Sequence, residues 1–483
     1  MQEDEWDMQR IVNIESLDFG DPQAKAEVLN VLEALCKVVL SLKQENQEFK
    51  DEINRLKGEK GKPDIKANTK KKDDDDANTR DKMESGVKKK WTKSSKIDQL
   101  KIDKEEIITL DTTLLPPDIE FKGYREVIIQ DIEIRTNNVL YKLQQYYSPS
   151  EHKTYTAELY PSLQNTAFGP GVKALASTLY FENRVTENKI ASFLNANGMK
   201  ISEGTVSNIL IHEKAEECSR ERKEIFTAGL QSSTYQQIDD TGMRVAGKNA
   251  YATIVCNDYY SAFFINPKKN RETVKKILYN NYDLKEGDVN LTEEAVFSVL
   301  VCDDAPQFDK VAPYRDLCWI HEERHYGKLI PIFEGHKEEV EKIRGEIWRY
   351  YGELKSYKLN PDADKKVELA SKFDTLFSQI TGYDELNHRL KLTMAKKDFL
   401  LLVLDYPEIP LHNNLSENGV RELVIKRKIS GGVKTEAGKT AWENNLTILA
   451  TCKKLGVSFL DYMRGIYSGD KTRLKLVDLI AQK

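Results

Sequence analysis

Two pairs of consecutive acids mark where this chain is equipped for chemistry: Asp239-Asp240 in YQQIDDTGMRV and Asp303-Asp304 in AVFSVLVCDDA, each closing a strand-like run. A third carboxylate, Glu417, falls in HNNLSENGVREL, which reads as the start of a helix once Pro407 and Pro410 have punctuated the chain. Carboxylates crowded together repel, and a bound cation is the natural resolution. Mg²⁺ takes oxygen ligands, and in-line phosphoryl transfer uses one ion on the attacking oxygen and one on the leaving oxygen. Two Mg²⁺ or Mn²⁺ ions held by Asp239, Asp303 and Glu417 are therefore expected. The bland alternative is a set of ordinary solvated carboxylates. Arg421, one helical turn after Glu417, is placed to orient that carboxylate or meet a phosphate. Lys426, Arg427 and Lys428 follow as candidate DNA contacts.

For these acids to meet, a sheet must carry them. YQQIDDTGMRV, NAYATIVCN and SAFFINPKK read as successive strands, 272–279 as a helix, AVFSVLVCDDA as a strand, and DLCWIH as a further short one. Three strands, a helix and a strand, with acids ending the first and fourth strands, is the layout of a ribonuclease-H-like core. Between the second and third acids, 336–404 reads as charged amphipathic helices such as EEVEKIRGEIWRYYGELK, a helical insertion.

Other elements surround that core. Asp21 and Pro22 suit the N-cap and first position of a helix. Within it, Leu32, Val39, Asn46 and Ile53 fill one heptad position and Leu35, Leu42, Phe49 and Leu56 the other. That pattern favours a parallel two-stranded coil with Asn46 fixing register; the alternative is one amphipathic helix packed on its own domain. From Gly58 to Ser95 almost no apolar residue occurs, so a flexible charged linker is expected, its lysines either solvated or touching phosphates. Segments 126–135 and 139–147, rich in Val, Ile and Tyr, suggest a small sheet. After Gly169-Pro170-Gly171, residues 187–197, a turn at Gly198 and 202–210 have helix-turn-helix proportions, with Ser202 as cap and Ile190, Phe193, Leu194, Val206 and Ile209 between the helices. If the pair reads DNA, Glu203, Thr205, Ser207 and Asn208 stand where base contacts arise; such pairs also serve as plain packing units.

The expected fold class is thus multidomain α/β. It divides into an oligomerisation coil (1–57), a linker (58–100), a β-rich domain (101–168), a helical DNA-binding region (169–230), the ribonuclease-H-like core in two parts (231–332 and 407–483) and the helical insertion (333–406).

Composition narrows the function. A net charge of −5 leaves any DNA contact to local basic patches. The six cysteines are scattered without a C-x-x-C pair, which argues against a zinc ribbon and against disulfides. No run approaches the roughly 18 apolar residues of a membrane span, and MQEDEWDMQR lacks the pattern of a secretory signal. A cytoplasmic, nucleoid-associated protein without membrane partners is expected.

QIDDTG, LVCDDA, CWIHEERHY and HNNLSENGVRELVIKRKISGG followed by GKTAWENNLTILATCKKLG resemble the insertion-sequence-66 family of bacterial DDE transposases, from about residue 115 onward. The most specific part is the NN-x-x-E-x-x-x-R pattern of Asn413, Asn414, Glu417 and Arg421. The resemblance implies metal-dependent cleavage and strand transfer at insertion-sequence ends, with terminal inverted repeats and target DNA as partners. A homodimer or larger assembly and companion proteins of the same element are implied with it. It matches the catalytic acids to Asp239, Asp303 and Glu417, with Asp240, Asp304 and Asn418 departing from the usual neighbours. Cys318-Trp319-Ile320-His321 matches a C-x-x-H pattern that brings His321 towards the scissile phosphate; alternatively His321 fixes the local fold. Many members carry a cysteine-rich zinc segment, and 100–165 holds no cysteine, so no zinc is expected. The rival readings are a non-catalytic DNA-binding dimer and a nuclease of the same fold.

Overall fold

The computed structural model describes residues 14, 15, 17, 19–56, 102–110, 121–164, 166–279 and 296–483, and the linker expected over 58–100 lies outside them. Two compact units result, Leu40–Arg135 and Met1–Val39 with Thr136–Lys483. The first helix, α1 (Pro22–Leu56), opens as its sequence demands, with Asp21 Oδ1 accepting the Gln23 N–H at 2.9 Å. One face of its first half docks within the larger unit. Glu33, 2% exposed, accepts from His336 Nδ1 (2.7 Å) and the Ile332 N–H (3.0 Å). Asn30 bridges the Gly382 carbonyl and the Asp384 N–H, and Lys37 reaches Tyr383 and Glu385. The heptad face is different: Leu35, Val39, Leu42 and Phe49 are exposed. Part of α1 thus packs within the larger unit, while Leu32 of the heptad positions is half-buried and Leu35, Val39, Leu42 and Phe49 stay exposed.

The strands expected over 126–135 and most of 139–147 do not form. Residues 102–110 and 121–144 have no regular structure, and Ile108, Ile129 and Ile132 stay exposed. Only a hairpin, β1 (Gln145–Ser148) with β2 (Lys153–Thr156), appears there. A β-branched composition fits a pleated, half-buried surface and does not supply one; among the described residues this stretch has no second strand to pair with until 145.

Helical sequence begins after Gly169 with Pro170 at the first position of α2 (Pro170–Ser177), which runs into a π turn at Thr178–Glu182. The pair α3 (Glu187–Ala196) and α4 (Glu203–Ile211) follows, with Gly198 at φ +87° in the turn and Ser202 Oγ accepting the Thr205 N–H at 3.1 Å. Ile190, Leu194, Val206 and Ile209 are buried between them, whereas Phe193 is partly exposed. A longer helix, α5 (Ala215–Gln231), leads into the sheet.

The central sheet is mixed and five-stranded, in the order β5-β4-β3-β6-β7. β3 (Tyr235–Val245), β4 (Lys248–Cys256) and β5 (Ser261–Asn266) form an antiparallel meander. After α6 (Arg271–Leu278), β6 (Val299–Cys302) returns parallel to β3, and β7 (Tyr314–Leu317) adds parallel to β6. β6 shows why these strands read as unbroken apolar runs: Leu300 and Cys302 enter one core, Val299 and Val301 another on the opposite face. The expected strand DLCWIH ends at Leu317. Cys318 caps α7 (Trp319–Gly327), and Trp319 is drawn into the second core against Tyr350, Phe373 and Phe377.

That second core is filled by the inserted helices α8 (Glu334–Leu359), α9 (Ala363–Phe377), α10 (Asp384–Met394) and the short α11 (Lys397–Leu400). The chain returns through α12 (Asn414–Ser430), α13 (Glu436–Leu455), α14 (Phe459–Ser468) and α15 (Leu476–Ala481). α13 seals the edge strand β5: Thr451, Thr447 and Glu443 accept the N–H groups of Ser261, Phe263 and Ile265. Four helical residues rise about 6 Å and two strand residues about 6.6 Å, so the two spacings match closely enough for three successive bonds. An edge that would otherwise invite another strand is thereby closed.

Candidate active site

The sheet register aligns the first two acids. Gln237 of β3 pairs with Val301 of β6. Two residues further along each chain come Asp239 and Asp303, at the same level and on the same face. Asp303 follows the end of β6, but Asp239 lies within β3, which runs on to Val245 in its pairing with β4 and does not end at the acids as expected. The third acid is brought in by α12, whose first turn is tied to β3 by the Leu415 N–H donating to Gln237 Oε1 at 3.0 Å. Gly419 allows the helix to lie close: a Cβ there would come within 3.1 Å of Ile254, the residue opposite Asp239 in the β3–β4 ladder. Further on, Arg427 donates to the Gly242 carbonyl.

Each acid pair is split by its surroundings. Asp240 accepts from Lys269 Nζ at 3.1 Å and Gln307 Nε2 at 2.6 Å. Asp304 is paired with Arg315 at 3.0 Å and Lys396 at 2.7 Å. Asp239 and Asp303 have no ion-pair partner among the described residues; their carboxylates accept only the backbone N–H groups of Asp240 (2.8 Å) and Ala305 (3.1 Å). Burial pushes the Asp239 carboxyl up to about 7. The Asp240 N–H opposes that rise, and the charges of Asp303, Glu417 and Asp240 add to it.

α7 supplies the other wall. His321 Nδ1 lies 3.5 Å from Glu417 Oε1, and Arg324, one turn on, lies 3.7 Å from the same oxygen and 3.5 Å from His321 Nε2. Glu417 Oε1 and His321 Nδ1 are buried without a hydrogen bond, as are both amide atoms of Asn413, which is fully buried at the start of α12. Clustered unsatisfied polar atoms in a native fold call for a functional explanation. Cys318, His321 and Glu417 place ligand-capable atoms within 4.8 Å of one another. Burial drives the Cys318 thiol up to about 12, and the neighbouring N–H groups of His321, Asn413 and Ile320 oppose that rise. Asp239, Asp303 and Glu417 stand near enough for the charges of the other two to act on Asp239.

Lys426 is corrected by the structure: it is 2% exposed and does not face solvent. Its ammonium donates to the Tyr180 carbonyl at 2.7 Å and lies 3.5, 5.1 and 5.1 Å from the ring centroids of Tyr180, Phe181 and Trp442. Burial lowers its pKa to about 7, and the aromatic faces hold the cation that remains. Lys426→Met is therefore expected to leave the salt dependence of DNA binding unchanged in a fluorescence-anisotropy titration. A fall of about one unit in the log–log slope would put the ammonium on a phosphate after all.

Of the remaining basic candidates, Arg421 and Lys428 are exposed and Arg427 is half-buried. Thr205, Ser207 and Asn208 stand on α4, a separate element, with Asn208 exposed and the other two half-buried. The sequence pattern does not mark Arg324. Reading DLCWIH as a strand hid its place three residues after His321 on one helix face.

Residues 165–441 match the family model described as Transposase IS66 family, a span that holds all three acids, His321 and Arg324. The chain belongs to that family. Two curated relatives, both from Sinorhizobium fredii (strain NBRC 101917 / NGR234), are similar to it. "Uncharacterized protein y4jO" is 31% identical over 298 residues, 49% of this chain and 92% of the relative. "Uncharacterized protein y4qI" is 24% identical over 156 residues, 30% of this chain and 29% of the relative. Membership of the IS66 transposase family gives this chain a transposase-type function with DNA as its partner. Among the described residues no helix is long and apolar enough to cross a membrane.

Proposed function

We propose that this IS66-family chain is a DDE transposase that cuts and joins DNA strands at insertion-sequence ends, with Asp239, Asp303 and Glu417 as its catalytic carboxylates. The observation that carries this is the split of the acid pairs: Asp240 and Asp304 are neutralised by Lys269, Arg315 and Lys396, while Asp239 and Asp303 are left uncompensated beside Glu417. The sheet order, with the two acids on adjacent parallel strands and the third on a helix against the same sheet, supports a ribonuclease-H-like core.

The donor set fits divalent ions. It is all oxygen, as Mg²⁺ and Mn²⁺ prefer, and it includes a buried Glu417 oxygen without a hydrogen bond. When bound, two such ions supply Lewis-acid stabilisation of the attacking and leaving oxygens. The side chains do the rest. Asp239, Asp303 and Glu417 would hold the ions. Arg324 and His321 flank Glu417, where they hold a non-bridging oxygen of the scissile phosphate and fix its orientation. Beyond the core, the exposed heptad face of α1 pairs with a second copy as a coiled coil, and the α3–α4 pair offers Thr205, Ser207 and Asn208 to terminal-repeat bases. Residues 333–406 form an insertion against the core, and companion proteins of the element complete the assembly.

The test is strand cleavage and joining on DNA carrying the element's ends, with Mg²⁺ or Mn²⁺, comparing wild type with Asp239→Asn and Glu417→Gln. Loss of both steps in both variants, with DNA binding kept, is expected. Undiminished activity in either variant would sink the assignment. Binding without cutting by wild type, even with the companion proteins, would favour a DNA-binding dimer.

A further inference from the structure

The cations left unpaired around this site trace a path away from the acids. α12 runs alongside β3 in the same direction: Leu415 bonds Gln237, Arg427 reaches Gly242, and Val433, just past the helix, bridges Val245. The Ala246 N–H donates to the Val433 carbonyl at 2.9 Å, which stitches the β3–β4 turn to the loop after α12. Ala246 and Gly247 take φ of +47° and +78°, as a tight two-residue hairpin turn requires. At this joined end stand Arg244, Lys248, Lys428 and Lys434, all exposed, with Arg421 exposed nearer the acids. None of the five has an ion-pair partner among the described residues. The neighbouring acids do: Glu422 pairs with Arg184, and Glu436 with Lys439 at 2.7 Å. In a chain of net charge −5, a strip of uncompensated cations bordered by neutralised acids is a surface for a polyanion.

Resting on the transposase reading, we propose that this strip, from Arg421 to the β3–β4 hairpin tip, carries the duplex that flanks the cut by its phosphates alone. Asp239 to Arg244 covers about 17 Å of strand, and Glu417 to Lys428 about 16 Å of helix. At 3.4 Å per base pair, Arg244 and Lys428 meet phosphates roughly five base pairs from the scissile position. Contacts to phosphate fix register and orientation and carry no sequence information. The strip therefore sets where the duplex lies over the carboxylates, and the choice of sequence is left to other elements.

The experiment is equilibrium binding of the full chain to a duplex of arbitrary sequence over a range of salt concentrations. Wild type is compared with the quadruple variant Arg244→Gln, Lys248→Gln, Lys428→Gln, Lys434→Gln, with Arg244→Gln alone and with Asp239→Asn. The slope of log affinity against log salt is expected to fall by about 3–4 units in the quadruple variant and by about one in Arg244→Gln. Asp239→Asn keeps the wild-type slope, so a wrong choice of carboxylates does not touch this result. An unchanged slope in both charge variants overturns the proposal, as does a loss confined to duplexes carrying the element's ends.

Discussion

Asp239→Asn is expected to melt higher than wild type at pH 8 in the absence of divalent ions. Burial, and the charges of Asp303, Glu417 and Asp240, hold the folded carboxyl at about 7, against 3.8 when unperturbed. Below the unfolded value both states are protonated and the residue costs the fold nothing. Between the two values the unfolded chain has released its proton and the folded chain has not, so stability falls as pH rises, and the full cost is reached above the folded value. A gap of about three units sets a ceiling near 4 kcal/mol, and partial solvation of the site brings the realised gain below it. An asparagine keeps an oxygen for the Asp240 N–H and removes the charge. The gain, a few degrees, is expected to vanish at pH 4 and to reverse once Mg²⁺ is added, because only wild type then acquires ligand stabilisation. Differential scanning calorimetry at the two pH values checks this; equal melting at pH 8, or a gain that persists at pH 4, goes against it. Stability given up at an acid cluster in exchange for function is a familiar compromise.

The second large effect separates the members of each acid pair. Asp239→Asn and Asp303→Asn are expected to lower strand cleavage by at least about 10³-fold, some 4 kcal/mol of barrier. Asp240→Asn and Asp304→Asn are expected to stay within about tenfold of wild type. Asp240 holds Lys269 and Gln307, and Asp304 holds Arg315 and Lys396, so their loss loosens supports without removing a donor from the site. Single-turnover cleavage of end-bearing DNA measures the contrast. If Asp240→Asn proves as damaging as Asp239→Asn, the surroundings have been misread and the pair acts as one unit.

Much of this arrangement was legible in the sequence because local patterns determined it. YQQIDDTGMRV is the full extent of β3, and Ser202 and Gly198 set the boundaries of α3 and α4 through capping and a positive φ. What escaped depended on tertiary partners. Nothing in the run of Val, Ile and Tyr at 126–135 tells whether another strand will pair with it, and among the described residues none does. DLCWIH reads as strand because its apolar residues do not distinguish the two states; the burial of Trp319 against the inserted helices accompanies its turn into α7. Lys426 lies in a basic run that looks like a phosphate contact, yet helical phase turns it inward onto Trp442 of the next helix and onto Tyr180 and Phe181, aromatics distant in sequence. Which acid of each pair is compensated also depends on partners across the fold: Lys269, Gln307, Arg315 and Lys396 come from four different segments.

The central claim is that Asp239, Asp303 and Glu417 together hold two divalent ions. Counting bound Mn²⁺ by electron paramagnetic resonance, on the full chain in the presence of DNA carrying the element's ends, tests it most directly. Wild type and Asp240→Asn are expected to bind two ions per chain, and Asp239→Asn, Asp303→Asn and Glu417→Gln each to lose at least one. Two ions retained in all three triad variants, or none bound by wild type, would contradict it.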